Sequence, residues 1–212
     1  MKITLQNIGK RFNREWIFKN INYEFESNKA YVILGANGSG KSTLLQVIAG
    51  NLTSSEGNII YKNQQLTTGN QQLIKPENIF QYLSFAAPYL ELFEEYSLKE
   101  SIEFHSKFKN FISGLSTKEI IGLTGLEKSQ DKQLKYFSSG MKQRVRLALA
   151  ILSDAPLLLL DEPCSNLDRE GVEWYQKLIN DHSKNRLVII CSNQQKQEYE
   201  FCSEELKLEK YK

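Results

Sequence analysis

The sequence predicts an α/β fold: a parallel sheet carries the chemistry, an antiparallel β region precedes it, and a helical segment is inserted into it. Three observations carry that prediction. Residues 1–28 alternate apolar and polar side chains, the period of half-buried strands. Continuous apolar runs at 31–34 (YVIL), 157–160 (LLLL) and 187–191 (LVIIC) are the mark of strands covered on both faces. Between the first and second of these runs, over residues 85–153, the apolar spacing becomes helical.

In order along the chain, Ile3 and Leu5, then Ile17, Phe18, Ile21, Tyr23 and Phe25 beyond a turn near Asn13, give two or three antiparallel strands. The run at 31–34 leads through a glycine-rich turn into a helix over 42–49, the start of a βαβ unit. A short strand is expected at 58–61 and another at 79–84. Ser97 followed three residues later by Glu100 reads as a capping box, with Ile102, Phe104, Phe108 and Phe111 available to an apolar face. Met141, Val145, Ala148, Leu149 and Leu152 form a further helical stripe, and a helix over 169–179 separates the last two buried strands. The expected organisation is one domain over 1–212, with a core of 1–84 and 154–212 and a helical insertion at 85–153.

Composition narrows the function. With 27 Lys and Arg against 25 Asp and Glu the net charge is only +2, so no global basic field points to nucleic acid or an anionic membrane. Hydrophobic residues at 41% and charged ones at 25% argue against disorder. The apolar runs fall far short of the roughly 20 residues that cross a bilayer, and the start, MKITLQNIGKRF, lacks a leader-like apolar core, so neither a membrane span nor export is expected. Cys164, Cys191 and Cys202 form neither an even framework nor a CxxC pair and read as reduced thiols. His105 and His182 lie away from the motifs and read as surface residues.

Residues 35–42, Gly35, Ala36, Asn37, Gly38, Ser39, Gly40, Lys41 and Ser42, match the phosphate-loop pattern G-x-x-x-x-G-K-[ST], with Thr43 following. The glycines let successive backbone N–H groups converge on one centre, and the following helix adds free amides and the positive end of its dipole. Lys41 supplies a full charge to the β and γ phosphates, and the Ser42 hydroxyl suits Mg²⁺. The run at 157–160 ends in Asp161 and Glu162, at the strand end where ligands of parallel sheets sit. Asp161 suits an outer-shell hold on Mg²⁺. Glu162 is the candidate general base, aimed at a water in line with the γ phosphate.

Between these motifs, residues 136–144 (YFSSGMKQR) resemble the signature of the ATPase subunits of ABC transporters, LSGGQ followed by a basic residue, Gln and Arg. Phe137, Ser139 and Met141 depart from it, whereas Ser138, Gly140, Gln143 and Arg144 remain. The resemblance covers essentially the whole chain and implies a P-loop NTPase core, ATP and Mg²⁺ as cofactors, and a head-to-tail homodimer. In that dimer Ser138, Ser139, Gly140 and Met141 complete the ATP site of the opposite copy. It places Phe12 where an aromatic ring stacks on adenine, and Asp168, in residues 165–168 (SNLD), in the loop that links the two sites. Two positions do not conform: Phe85, Ala86, Ala87 and Pro88 stand where the family carries a Mg²⁺-sensing Gln, and Asn193 stands where it carries a His facing the γ phosphate. Asn donates a hydrogen bond but moves no proton, so the expected enzyme is a slow ATP hydrolase with Glu162 and Asn193 as its catalytic residues.

The resemblance further implies a separately encoded membrane-spanning partner, a cytoplasmic site on the inner face of the cell membrane and no nucleic acid. The short chain is similar to the cassettes of exporters. Residues 88–96 (PYLELFEEY), with their rings and acids, are the candidate grip for a basic helix of that partner. Two other modes compete: a soluble ATPase of the same family acting on nucleic acid or ribosomes, and a nucleotide-gated interaction protein with little hydrolysis.

Overall fold

The computed structural model describes residues 1–64 and 71–212. They form two compact units, one of residues 1–85, 155–161 and 185–212, the other of residues 86–154 and 162–184.

In the first unit β1 (Lys2–Phe12) and β2 (Glu15–Glu26) make the expected hairpin, turned at Asn13 with φ 53°. Asparagine tolerates that left-handed conformation better than most side chains. β4 (Glu56–Gln64) pairs with β1 and with β5 (Gln71–Ile74), giving a sheet ordered β2-β1-β4-β5, all antiparallel. A second sheet is ordered β6-β7-β8-β3-β9, from β6 (Leu83–Ala86), β7 (Leu157–Asp161), β8 (Leu187–Ser192), β3 (Ala30–Leu34) and β9 (Glu204–Lys207). β7, β8, β3 and β9 run parallel. Every residue of β7 and β8 is buried, which is why both read as unbroken apolar runs rather than alternations. α1 (Lys41–Ile48) packs on β7 and β8, and its Leu44, Leu45, Val47 and Ile48 join Ile3, Phe18, Leu159 and Ile189 in one apolar core.

The expected strand over 79–84 is shorter than read. Residues 76–82 form a 3₁₀ turn opened by Pro76, and only Leu83–Ala86 is strand. Proline pre-sets the turn, and a short apolar run does not by itself tell a strand from a helical turn.

The second unit holds α2 (Leu98–Ser106), α3 (Thr117–Thr124), α4 (Ser139–Ile151) and α5 (Arg169–His182). The capping box at Ser97 and Glu100 forms as expected, and Ser116 with Glu119 makes a second one. Phe108 lies beyond the end of α2 and is 74% exposed, so it does not belong to the apolar face predicted for it. His105 is half-buried rather than freely exposed, contrary to the surface position expected for it: its Nε2 lies 2.8 Å from Ser153 Oγ and its ring stacks on Phe111. The three cysteines are free thiols. No helix among the described residues is long and apolar enough to cross a membrane.

Candidate functional site

In the parallel sheet Leu34 pairs with Ser192 and Asp161 pairs with Cys191, so β3, β7 and β8 end in one row. That edge is the place such sheets reserve for ligands.

β3 runs into the loop of residues 35–40. The Ser39 N–H donates to the Ala36 carbonyl at 3.0 Å, closing a tight turn, and Gly38 and Gly40 take φ of 75° and 100°. At Gly40 the need for glycine is double, because a Cβ would lie 2.3 Å from Ile17 Cγ2 as well as adopting a left-handed backbone. Gly40 is also the N-cap of α1 and places no capping side chain over the first turn of the helix. Lys41 is buried, and its Nζ donates to the carbonyls of Gly35 at 2.9 Å and Ala36 at 3.2 Å. The charge is thus held across the mouth of the loop that its own amides form. Buried Ser39 and half-buried Ser42 and Thr43 complete this cradle.

Asp161 is the buried last residue of β7. Glu162, the next residue, is half-buried and has φ 43°. A left-handed glutamate costs on the order of 1–3 kcal/mol and persists only where its surroundings over-determine it, a condition met most often at functional sites.

At the end of β8, Asn193 reaches the phosphate loop, its Nδ2 lying 3.4 Å from Asn37 Oδ1. Its loop is pinned from below. Fully buried Ser192 donates through Oγ to the equally buried Glu198 carboxylate and accepts the Gln195 N–H at 3.2 Å. Glu198 carried no sequence signal, since nothing in its spacing from Ser192 is periodic. Phe12 ends β1 and is 48% exposed, with Lys10 Nζ 5.1 Å from its ring centroid.

The second unit holds the signature residues. Ser138 is the N-cap of α4, its Oγ accepting the Met141 N–H at 3.2 Å. Asp168 caps α5 in the same way, with Oδ1 2.8 Å from the Gly171 nitrogen. A cavity of about 310 Å³ opens between these two helix starts, lined by Ser138, Ser139, Gly140, Met141, Arg144 and Asp168 among others. Ser138 and Ser139 are exposed, while Gly140 and Met141 are half-buried. A Cβ at Gly140 would lie 2.9 Å from the Asn166 carbonyl, so only glycine permits this approach. Arg144 stacks over Trp174 at 5.2 Å, and the Trp174 indole donates to Leu123 O at 2.7 Å, tying α3, α4 and α5 together. The substituted Phe137 is buried, a core residue beside the signature.

Comparisons with known proteins agree with this geometry. The family model described as ABC transporter matches residues 18–165. The uncharacterized ABC transporter ATP-binding protein YybJ of Bacillus subtilis is 30% identical over 196 residues, covering 92% of this chain and 87% of that one. The energy-coupling factor transporter ATP-binding protein EcfA1 of Thermotoga maritima is 34% identical over 199 residues, covering 92% and 73%. Among solved structures, an ATP-binding subunit of an ABC transporter superposes with a TM-score of 0.78 at 21% identity, covering 98% of this chain and 87% of that one. A dimeric ATP-binding cassette in a post-hydrolysis state, bound to ADP and phosphate, gives 0.76 at 22% identity, covering 97% and 94%. These two structures establish the fold.

Proposed function

The chain belongs to the ABC transporter family as an ATP-binding, ATP-hydrolysing subunit, and on that premise we propose that two copies work head to tail beside a separately encoded membrane-spanning subunit. The observation that carries this reading is the row of strand ends. A phosphate loop, an acid and an amide-bearing loop follow three adjacent strands, and the chain also supplies an exposed serine-capped helix start for a neighbour's nucleotide.

In this reading the 35–43 loop takes the β and γ phosphates through backbone amides and Lys41, and Phe12 stacks on the base. Mg²⁺ suits the oxygen donors present: the Ser42 hydroxyl on α1 and the Asp161 carboxylate on β7, two elements that pack together. Bound there, the ion would neutralise charge on the phosphates. Glu162 orients the attacking water, and Asn193 donates to the γ phosphate without moving a proton. Ser138 and Gly140 of one copy meet the phosphate held by the other, and Asp168 orders the adjoining helix.

The membrane subunit is proposed to dock on the second unit. There a cavity of about 180 Å³ is walled by Phe93, Tyr96, Phe104 and Phe108, with exposed Glu91 at its rim and exposed Glu95 nearby. Glu94 is engaged by Lys142, so the steering charge falls to Glu91 and Glu95. The occupant we propose is a basic cytoplasmic segment carrying one bulky apolar side chain. In this reading the chain works at the inner face of the cell membrane.

The test is light scattering of the Glu162→Gln variant with Mg-ATP, against the same protein with Lys41→Ala added. The expected result is a dimer formed only with Lys41 present. A variant that binds ATP yet stays monomeric, even beside its membrane subunit, would overturn the paired mode.

A further inference from the structure

Three polar contacts run in series through the second unit. Arg146 on α4 donates from Nε to the Leu90 carbonyl at 2.6 Å and from Nη1 to Gln143 Oε1 at 3.3 Å. Gln143, fully buried, donates from Nε2 to the Pro163 carbonyl at 3.0 Å. One end of this series lies in the 88–96 segment and the other lies one residue beyond Glu162.

The contact at Pro163 is well placed to act on Glu162. Pro163 has no N–H, so the peptide plane between Glu162 and Pro163 has only its carbonyl to offer a hydrogen bond. The Glu162 carbonyl accepts the Ser165 N–H at 3.0 Å, and the Pro163 carbonyl accepts the Gln143 amide. Together they pin the backbone on the carboxyl side of a residue held at φ 43°. Gln143 can make this bond only with its amide turned one way. Arg146 enforces that orientation, because a guanidinium can face the amide oxygen but not the amide nitrogen.

We propose that Gln143 and Arg146 are positioning residues for Glu162, and that their link to Leu90 carries changes in the 88–96 segment to the catalytic acid. This route uses none of the side chain that Ala86 and Ala87 lack. It rests on the reading that Glu162 acts on the attacking water.

The test measures Mg-ATP hydrolysis by the full chain with Gln143→Met, Arg146→Met and the pair, each also placed in Glu162→Gln. Displacing a catalytic group by a fraction of an ångström to an ångström costs up to about 100-fold, so Gln143→Met is expected to lower kcat roughly tenfold at an unchanged KM. Arg146→Met should lower kcat by a smaller factor, and the double variant should be no slower than Gln143→Met, because both act through one series. In Glu162→Gln the same substitutions should leave the residual rate unchanged, which a merely structural role would not do. Arg146 is half-buried, so Arg146→Met keeps the test open if Gln143→Met does not fold. A wild-type kcat in a folded variant, additive losses in the pair, or equal losses with and without Glu162 would overturn the relay. A Glu162→Gln protein as fast as wild type would instead remove the premise about Glu162.

Discussion

The Asn193 side-chain amide faces Asn37 Oδ1 at 3.4 Å, so the residue that follows β8 addresses the phosphate loop directly. The loop that holds it is anchored by the buried Ser192 and Glu198 pair, which makes its aim a property of the fold. An amide there can donate to a phosphate oxygen, a contact worth about 0.5–1.5 kcal/mol, or up to roughly tenfold in rate. Asn193→Ala is therefore expected to slow phosphate release by up to about tenfold, and Asn193→His to accelerate it by no more than that. A gain of about 100-fold or more in Asn193→His would show that a titratable ring does chemistry the amide cannot.

Glu162→Gln keeps the size of the side chain and removes its charge. If the carboxylate takes up or directs the proton of the attacking water, single-turnover hydrolysis falls by roughly 10²- to 10⁴-fold while ATP binding holds. Rapid-quench measurement of phosphate alongside equilibrium nucleotide binding checks both halves. Equal rates would remove Glu162 from its role.

In the proposed pair Ser138 would do two jobs that can be separated. As the N-cap of α4 it accepts the Met141 N–H, so Ser138→Ala should cost about 1 kcal/mol of stability and also weaken ATP-dependent pairing. Ser138→Asp restores the cap but turns a negative charge toward a neighbour's phosphates. The expected outcome is a melting temperature close to wild type with dimerisation lost. A Ser138→Asp protein that dimerises normally would place the neighbour's nucleotide elsewhere.

Much of this was legible in the sequence because it depends on local rules. The buried strands at β3, β7 and β8 are continuous apolar runs, and the Ser97 box and the phosphate loop are fixed-spacing patterns with a backbone reason for each residue. The 3₁₀ turn over 76–82 was not legible, because Ile79, Phe80 and Tyr82 suit a strand as well as a turn. Nor were Glu198 beneath Ser192 and Arg146 between Leu90 and Gln143. Those partners are set by how loops return onto helices, and no periodicity reports that. His105 misled for the same reason, since one polar residue near a helix end says nothing about the Ser153 and Phe111 that come to cover it.

That burial makes His105 a determinant of acid stability. Desolvation first, and nearby Lys109 second, lower its pKa from 6.5 to about 4. Ser153 donates its hydroxyl to the Leu149 carbonyl at 2.6 Å, so its oxygen is left to accept from His105 Nε2–H, and the neutral ring suits the site. The folded state thus holds its imidazole neutral where the unfolded chain takes up a proton. The resulting stability is fully present above pH 6.5 and is lost as pH falls toward 4, by up to roughly 3 kcal/mol. The surface carboxylates with lowered pKa values, Glu24, Glu100 and Glu119, start from 4.5, so their contribution is lost mainly below pH 4.5. Urea unfolding between pH 7 and pH 4.5 should therefore show a steeper loss in wild type than in His105→Phe, which keeps an aromatic ring over Phe111 and removes the titrating nitrogen. Parallel curves for the two proteins would mean that His105 takes up its proton as readily in the folded state as in the unfolded chain.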